Sequence, residues 1–241
     1  MLEEKLTVTE NAPLAANVYR MRLSGCAGDN RPGQFVDIRL DGLFLRRPIS
    51  VCDFENGELT LIYKVVGKGT EAMKKLLPGA ELSVLTGLGN GYDLAAAGER
   101  PLLIGGGVGV PPLYMLAKRL VREGKAVSAV LGFNTKAEVF CEDEFRALGC
   151  AVTITTADGS YGTRGFVTDA LPGDASYFYA CGPMPMLRAV FSRTDIPGEM
   201  SFEERMGCGF GACMGCSVMT KNGAKRVCRE GPVFKKEELD W

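Results

Sequence analysis

Four of the nine cysteines fall within 21 positions near the C-terminus, in the run Cys208-Gly-Phe-Gly-Ala-Cys213-Met-Gly-Cys216 followed by Cys228. The first three members of this C-x4-C-x2-C-x11-C spacing match the loop that wraps a plant-type [2Fe–2S] cluster. Such a loop turns its amides toward the sulfides, which residues without bulk permit, here Gly209, Gly211, Ala212 and Gly215. Zinc is the competing metal, although structural zinc sites usually bring two short-spaced pairs and Cys228 stands alone. Unliganded thiols are the third reading. The other five cysteines (Cys26, Cys52, Cys141, Cys150 and Cys181) are scattered. An odd total without a secretory signal speaks for reduced thiols, most of them small core residues.

A metal loop of this kind needs a scaffold, and 241 residues leave room for two domains beside it. The first 97 residues read as β. Apolar and charged residues alternate in Val36-Asp37-Ile38-Arg39-Leu40, the signature of a half-buried strand, and Leu59 to Val66 alternates likewise. Further short strands fit Leu6–Thr9, Val18–Leu23, Ile49–Phe54 and Glu81–Leu85, which together predict a small antiparallel barrel. One helix, Thr70 to Leu77, interrupts it before Pro78-Gly79. From Pro101 strands and helices alternate. Strands are expected at 102–104, 126–133, 150–155 and 177–181, and helices from Leu113 to Val121, 142–148, 165–171 and 184–191. That pattern implies a parallel sheet with helices on both faces. The expected class is therefore β + α/β: an N-terminal antiparallel β-barrel at 1–97, a parallel-sheet nucleotide-binding domain at 98–198 and a cluster subdomain at 199–241.

Three further segments suggest where ligands bind. Gly105-Gly106-Gly107-Val108-Gly109-Val110-Pro111-Pro112 follows a strand and opens a helix, so its amides can face a pyrophosphate. The register is not that of the GxGxxG fingerprint, and a structural turn is the plain alternative. The acid expected about 20 residues on is missing from Gly132-Phe133-Asn134-Thr135-Lys136, which leaves NADH against NADPH open. Cys181-Gly182-Pro183 ends another apolar strand, either as a ligand edge or as a turn with a buried thiol. In the barrel, Arg46-Arg47-Pro48-Ile49-Ser50 brings two cations to a stiff segment, and Gly69-Thr70 opens the only helix there. Together they could form a diphosphate site, or the arginines could simply be solvated.

Composition narrows the chemistry. Histidine is absent, which removes Ser-His-Asp and Cys-His catalysis and imidazole metal sites. A net charge of −1 gives no basic excess for nucleic acid. The longest uncharged stretch, Pro101 to Ala117, has 17 residues with four glycines and three prolines, so no membrane span is expected. The acidic start Met1-Leu2-Glu3-Glu4-Lys5 carries no targeting pattern, and a cytoplasmic location is expected.

In this order, the RPIS segment, glycine turn, Cys-Gly-Pro edge and cysteine loop resemble the ferredoxin reductase superfamily. More narrowly, the chain is similar over its whole length to electron-transfer subunits of class 1B dihydroorotate dehydrogenases. Especially close are GGGVGVPPL (105–113), DGSYGTRGFVTD (158–169), EERMGC (203–208) and VCREGPVF (227–234). The resemblance implies FAD held by Arg47, Pro48, Ile49, Ser50, Ile62, Tyr63, Lys64, Gly69 and Thr70. It implies NADH flanked by Gly105, Gly106, Gly107, Gly109, Cys181, Gly182 and Pro183, and a [2Fe–2S] cluster on Cys208, Cys213, Cys216 and Cys228. Many superfamily members carry a tyrosine where Ile49 stands; its lack agrees with the narrower family. The implied partner is an FMN-containing dihydroorotate dehydrogenase catalytic subunit of pyrimidine biosynthesis, two copies of each chain forming a heterotetramer. No catalytic acid or base is expected on this chain. Two rivals remain. One is a flavin subunit serving ferredoxin, a hydrogenase or a bifurcating NADPH-dependent complex, which Lys136 as a 2′-phosphate ligand would favour. The other is a zinc-stabilised interaction module without catalysis.

Overall fold

The computed structural model describes all 241 residues. Six strands close the N-terminal barrel: β1 (Leu2–Ala15), β2 (Val18–Ser24), β3 (Phe35–Ile38), β4 (Arg47–Glu55), β5 (Glu58–Lys64) and β6 (Glu81–Leu88), in the order β1-β2-β5-β4-β3-β6 with antiparallel neighbours. Asn56 and Gly57 join β4 to β5 with φ of 53° and 77°, the left-handed pair that a tight hairpin demands. Inward side chains such as Leu6, Met21, Val36, Ile38 and Leu61 fill the barrel. The interrupting helix α1 runs Lys68–Lys74, earlier than expected. Asn11 of β1 holds it in place, its Nδ2 donating to the carbonyls of Met73 and Leu76 at 2.9 Å each.

The second sheet comprises β7 (Pro101–Gly106), β8 (Ser128–Phe133), β9 (Ala151–Thr156), β10 (Thr163–Arg164), β11 (Tyr177–Cys181) and β12 (Gly198–Ser201). Its strand order is β10-β9-β8-β7-β11-β12, with parallel neighbours. The chain starts at β7, steps outward through β8, β9 and β10, then crosses to β11 on the other side. The order therefore reverses between β7 and β11, and at the carboxyl edge of such a reversal a crevice opens. Helices α2 (Tyr114–Arg122), α3 (Glu142–Ala147) and α4 (Met184–Arg193) pack on the sheet. Leu113, Leu116, Ala117 and Leu120 of the expected apolar face are fully buried. Lys118 ties α2 to the barrel, with Nζ 2.7 Å from Asp53 and 2.9 Å from Glu55 of β4.

Three expectations need correction. Pro111 and Pro112 impose a 3-10 turn after the glycines, so the α-helix proper begins only at Tyr114. The helix expected at 165–171 is one 3-10 turn, Val167–Asp169. Finally, the last forty residues do not stand apart from the sheet. Strand β12 runs across the 198/199 division, and β15 (Val233–Lys235) adds to it antiparallel. Burial drives that joining: Met200 and Phe234 enter the core with Phe178 and Ala180 of β11, while Val233 enters the other core with Tyr177 and Tyr179. Between β12 and β15 lie the cysteine loop and a hairpin of β13 (Ser217–Thr220) and β14 (Gly223–Arg226). No helix is long and apolar enough to cross a membrane.

Candidate functional site

Register alone brings the two nucleotide motifs together, since Gly105 of β7 pairs with Cys181 of β11. Beyond the strands their backbones touch. A Cβ on Gly109 would collide with the Cys181 carbonyl, and one on Gly106 would stand 2.5 Å from Met186 Sδ and 3.1 Å from Pro183 Cδ. On Gly182 it would lie 2.6 Å from Met186 Cε. Gly107 differs: its φ is +53° and the space beside its Cα is open. Gly107 and Val108 line a narrow crevice with Phe133, Glu138 and Phe140 on the sheet side and Val18 and Lys64 on the barrel side. Burial pushes the Cys181 thiol up to about 12, so it stays protonated and is neither a base nor a nucleophile at neutral pH.

The crevice also holds an acid that sequence reasoning missed. A 3-10 turn at Lys136–Glu138 folds Glu138 back, so that its Oε2 accepts from Asn134 Nδ2 at 2.8 Å. Its Oε1 faces Lys64 Nζ at 3.5 Å across the two domains. The offset of two residues past Lys136 hid it. Lys136 itself is exposed, with its ammonium 5.6 Å over the Tyr161 ring.

On the barrel rim, Arg47 lies directly over α1: a Cβ on Gly69 would overlap its guanidinium. The sequence pairing of this arginine with Gly69 is thus a spatial one. Pro48, Ile49 and Ser50 are half-buried along β4. The Thr70 hydroxyl is occupied locally, accepting from the amide of Val66 at 2.9 Å and that of Gly67 at 3.2 Å. Arg46 leaves the group, because its guanidinium bonds Glu3 at 2.6 Å and the Ser83 carbonyl at 3.2 Å. Ile62 and Tyr63 are buried. The Tyr63 ring stacks on Tyr19 at 6.0 Å and its hydroxyl donates to Asn11 at 2.9 Å, so that side chain serves the barrel.

The four loop cysteines divide into an outer and an inner pair. Cys208 and Cys213 are near the surface, whereas Cys216 and Cys228 are buried. Cys208 Sγ accepts from the amides of Ala212 at 3.1 Å and Cys213 at 3.4 Å, and Cys216 Sγ from that of Cys228 at 3.4 Å. Burial alone would push the Cys208 thiol up, but the amides of Cys213, Phe210 and Ala212 bring it down to about 6. Burial and the Cys216 thiol raise Cys228 to about 12. No three thiol or carboxylate side chains converge on one point. Even so, thiol donors with amides aimed at sulfur, on a loop whose Gly207 and Gly215 face Cys213 Sγ, fit a thiolate-bound iron–sulfur group. Arg226 straps the loop, donating to the Gly211 carbonyl at 2.5 Å while its Nε bonds Glu230 at 2.9 Å.

Sequence reasoning also left Asp37 on the wet face of β3. It is 2% exposed, because the cysteine loop covers that side of the barrel.

Residues 203–240 match the iron–sulfur cluster binding domain of dihydroorotate dehydrogenase B, and residues 103–191 match the oxidoreductase NAD-binding domain. A dihydroorotate dehydrogenase B (NAD(+)) electron transfer subunit of Geobacillus sp. (strain WCH70) is 47% identical, the match covering 99% of each chain. The subunit of that name from Bacillus caldolyticus is 46% identical over 98% of each chain. Among solved structures, a chain of an NADH-dependent reduced ferredoxin–NADP oxidoreductase, described in terms of flavin-based electron bifurcation, superposes with a TM-score of 0.89. It is 32% identical, and the match covers 98% of this chain and 90% of that one.

Proposed function

Since the chain belongs to the family of dihydroorotate dehydrogenase B electron transfer subunits, we propose that it draws electrons from NADH and delivers them to a catalytic partner. The path runs through FAD on the barrel and a [2Fe–2S] cluster on the cysteine loop. A bound flavin takes the pair carried by a hydride and passes electrons on singly, as an iron–sulfur centre requires. The partner in this reading is the FMN-bearing dihydroorotate dehydrogenase subunit of pyrimidine biosynthesis, assembled as two of each chain in the cytoplasm.

The observation that carries the reading is the convergence of the glycine turn and Cys181–Pro183 at the strand-order reversal, with Gly107 and Val108 of that turn facing Val18 and Lys64 of the barrel across a crevice. Gly105, Gly106, Gly107 and Gly109 present main chain to the dinucleotide, and Gly182 and Pro183 bound the nicotinamide end. Arg47 supplies the cation for the FAD diphosphate beside Gly69 and Thr70. Pro48, Ile49 and Ser50, with the backbone of Ile62, Tyr63 and Lys64, bound the flavin. Cys208, Cys213, Cys216 and Cys228 hold the cluster. This chain supplies no proton-transfer group to dihydroorotate. Phe210 and Met214, 41% and 53% exposed on the cysteine loop, are apolar surface for the partner to cover.

Purifying the native complex tests this: an FMN-containing partner should co-elute, its flavin should be reduced by NADH faster than by NADPH, and the isolated chain should leave dihydroorotate untouched. Dihydroorotate turnover by the chain alone would defeat the division of labour. A second reading, a flavin subunit of a bifurcating complex, draws on the likeness to the NADH-dependent ferredoxin–NADP oxidoreductase. Co-elution of a subunit that reduces ferredoxin would favour it.

A further inference from the structure

Asp37 belongs to none of the motifs above, yet its placement is unusual. Strand β3 sends Val36 and Ile38 into the barrel and Asp37 outward, where the cysteine loop covers it. The carboxyl lies so close to Gly209 that a Cβ there would collide with Oδ2. Oδ1 is buried without any hydrogen-bond partner. Gly209 follows Cys208 directly, and Asp37 pairs on the ladder with Pro48, inside the Arg47–Ser50 segment. One residue therefore joins the flavin strand, through its main chain, to the cluster loop, through its side chain. The charges of Arg46 and Arg47 favour its ionised form, but neither guanidinium bonds the carboxyl: Arg46 donates to Glu3, Ser83 and the Asp37 main-chain carbonyl, and Arg47 to the carbonyls of Leu45 and Arg46.

A buried carboxyl with no donor is costly, and a neutral side chain would pack there at less expense. What the carboxylate provides is a fixed negative charge beside the loop. Placing an electron on a group near such a charge is opposed by Coulomb repulsion, which is strong where water is excluded. Iron–sulfur potentials respond to local charge and solvent exposure.

We propose that Asp37 is a positioning residue of the electron path, seating the cluster loop on the flavin strand and lowering the reduction potential of the iron–sulfur centre. A lower potential keeps electrons from resting on the cluster and sends them forward. The inference rests on the function proposed above. Charged and neutral side chains at this position are compared at pH 8, far above the ordinary carboxylate range.

The test is a redox titration of the cluster, followed by electron paramagnetic resonance at pH 8, on the full chain in its native complex. Asp37→Asn keeps the shape and removes the charge. Its reduction equilibrium should move about tenfold toward the reduced cluster, ~59 mV upward for a one-electron couple. Asp37→Glu keeps the charge and should stay near the wild-type potential. A wild-type potential in Asp37→Asn with full iron content overturns the proposal. If Asp37→Asn loses its iron, the potential is read in Gly209→Ala, whose added Cβ drives the loop away from Oδ2. An upward shift there supports the proposal and an unchanged potential overturns it. Absence of iron from the wild-type complex would be a different result, removing the proposed function and this inference with it.

Discussion

The nucleotide crevice is made by leaving side chains out, and the cluster loop by putting four of one kind in. At the crevice, Gly106, Gly109 and Gly182 let two strand ends meet backbone to backbone, and the single thiol, Cys181, is kept protonated by burial. At the loop, Gly209 and Gly211 turn the chain so that the amides of Ala212 and Cys213 point at Cys208, and the amide of Cys228 points at Cys216. In the function proposed above, the first region meets its ligand by shape and main-chain dipoles and should be sensitive to added volume. The second, in the same reading, depends on ligand atoms and should be sensitive to their loss. Substitutions in each should therefore fail differently.

The largest effect is expected from Cys213→Ser. A serine hydroxyl is a harder and less acidic ligand than a thiol, so iron should be lost or weakly held. Transfer to the partner's flavin should collapse, while NADH-driven dye reduction stays within an order of magnitude of wild type. Cys181→Ser should do the reverse, keeping its iron and perturbing NADH turnover. Iron content with the two assays checks both, and full iron with normal transfer in Cys213→Ser would falsify the ligand assignment.

Gly109→Ala probes the crevice by volume. The new methyl cannot coexist with the Cys181 carbonyl, so the strand ends must part. We expect kcat/KM for NADH to drop roughly 100-fold, about 2.7 kcal/mol, with iron content unchanged. A variant that turns over NADH normally would show that the two backbones need not touch. Arg47→Ala is expected to act next, on flavin retention. Losing one charge-assisted bond, about 1.5–3 kcal/mol, should weaken FAD affinity roughly 10- to 100-fold. Flavin released on dilution, followed by fluorescence, measures it.

The two regions also differed in how far the sequence revealed them. Cysteine spacing is local, so an iron–sulfur domain could be read from the sequence, and residues 203–240 match one; the barrel strands were legible through their period of two. Most of what escaped was set by distant neighbours. Asp37 alternates like any wet strand position, and only a loop 170 residues later in sequence covers it. Glu138 escaped because a 3-10 turn carries it back to Asn134. Strands β12 and β15 are four and three residues long, too short for a periodic signal; β12 exists because the edge of β11 was available for pairing, and β15 because β12 then offered its own.

Glu199 on β12 sharpens the comparison at the seam where the C-terminal segment joins the sheet, and its substitution should disturb electron delivery least. The side chain is 4% exposed, and Oε2 accepts from the Asp93 amide at 2.9 Å. Burial raises its carboxyl to about 7, although the Asp93 amide pulls the other way. The unfolded chain releases this proton near pH 4.5 and the native form near 7. Between those values the native state holds a proton that the unfolded state has lost, so stability falls as pH rises through the window. Glu199→Gln keeps an oxygen for the Asp93 amide and abolishes the titration. Relative to wild type it should gain on the order of 3 kcal/mol between pH 4 and pH 8, most of it above pH 5. Thermal unfolding across that range checks the sign: the difference in Tm between variant and wild type should grow with pH. A difference that stays flat would mean that Glu199 is ionised in the native seam and held by a cation such as Lys235, whose strand pairs with β12 there.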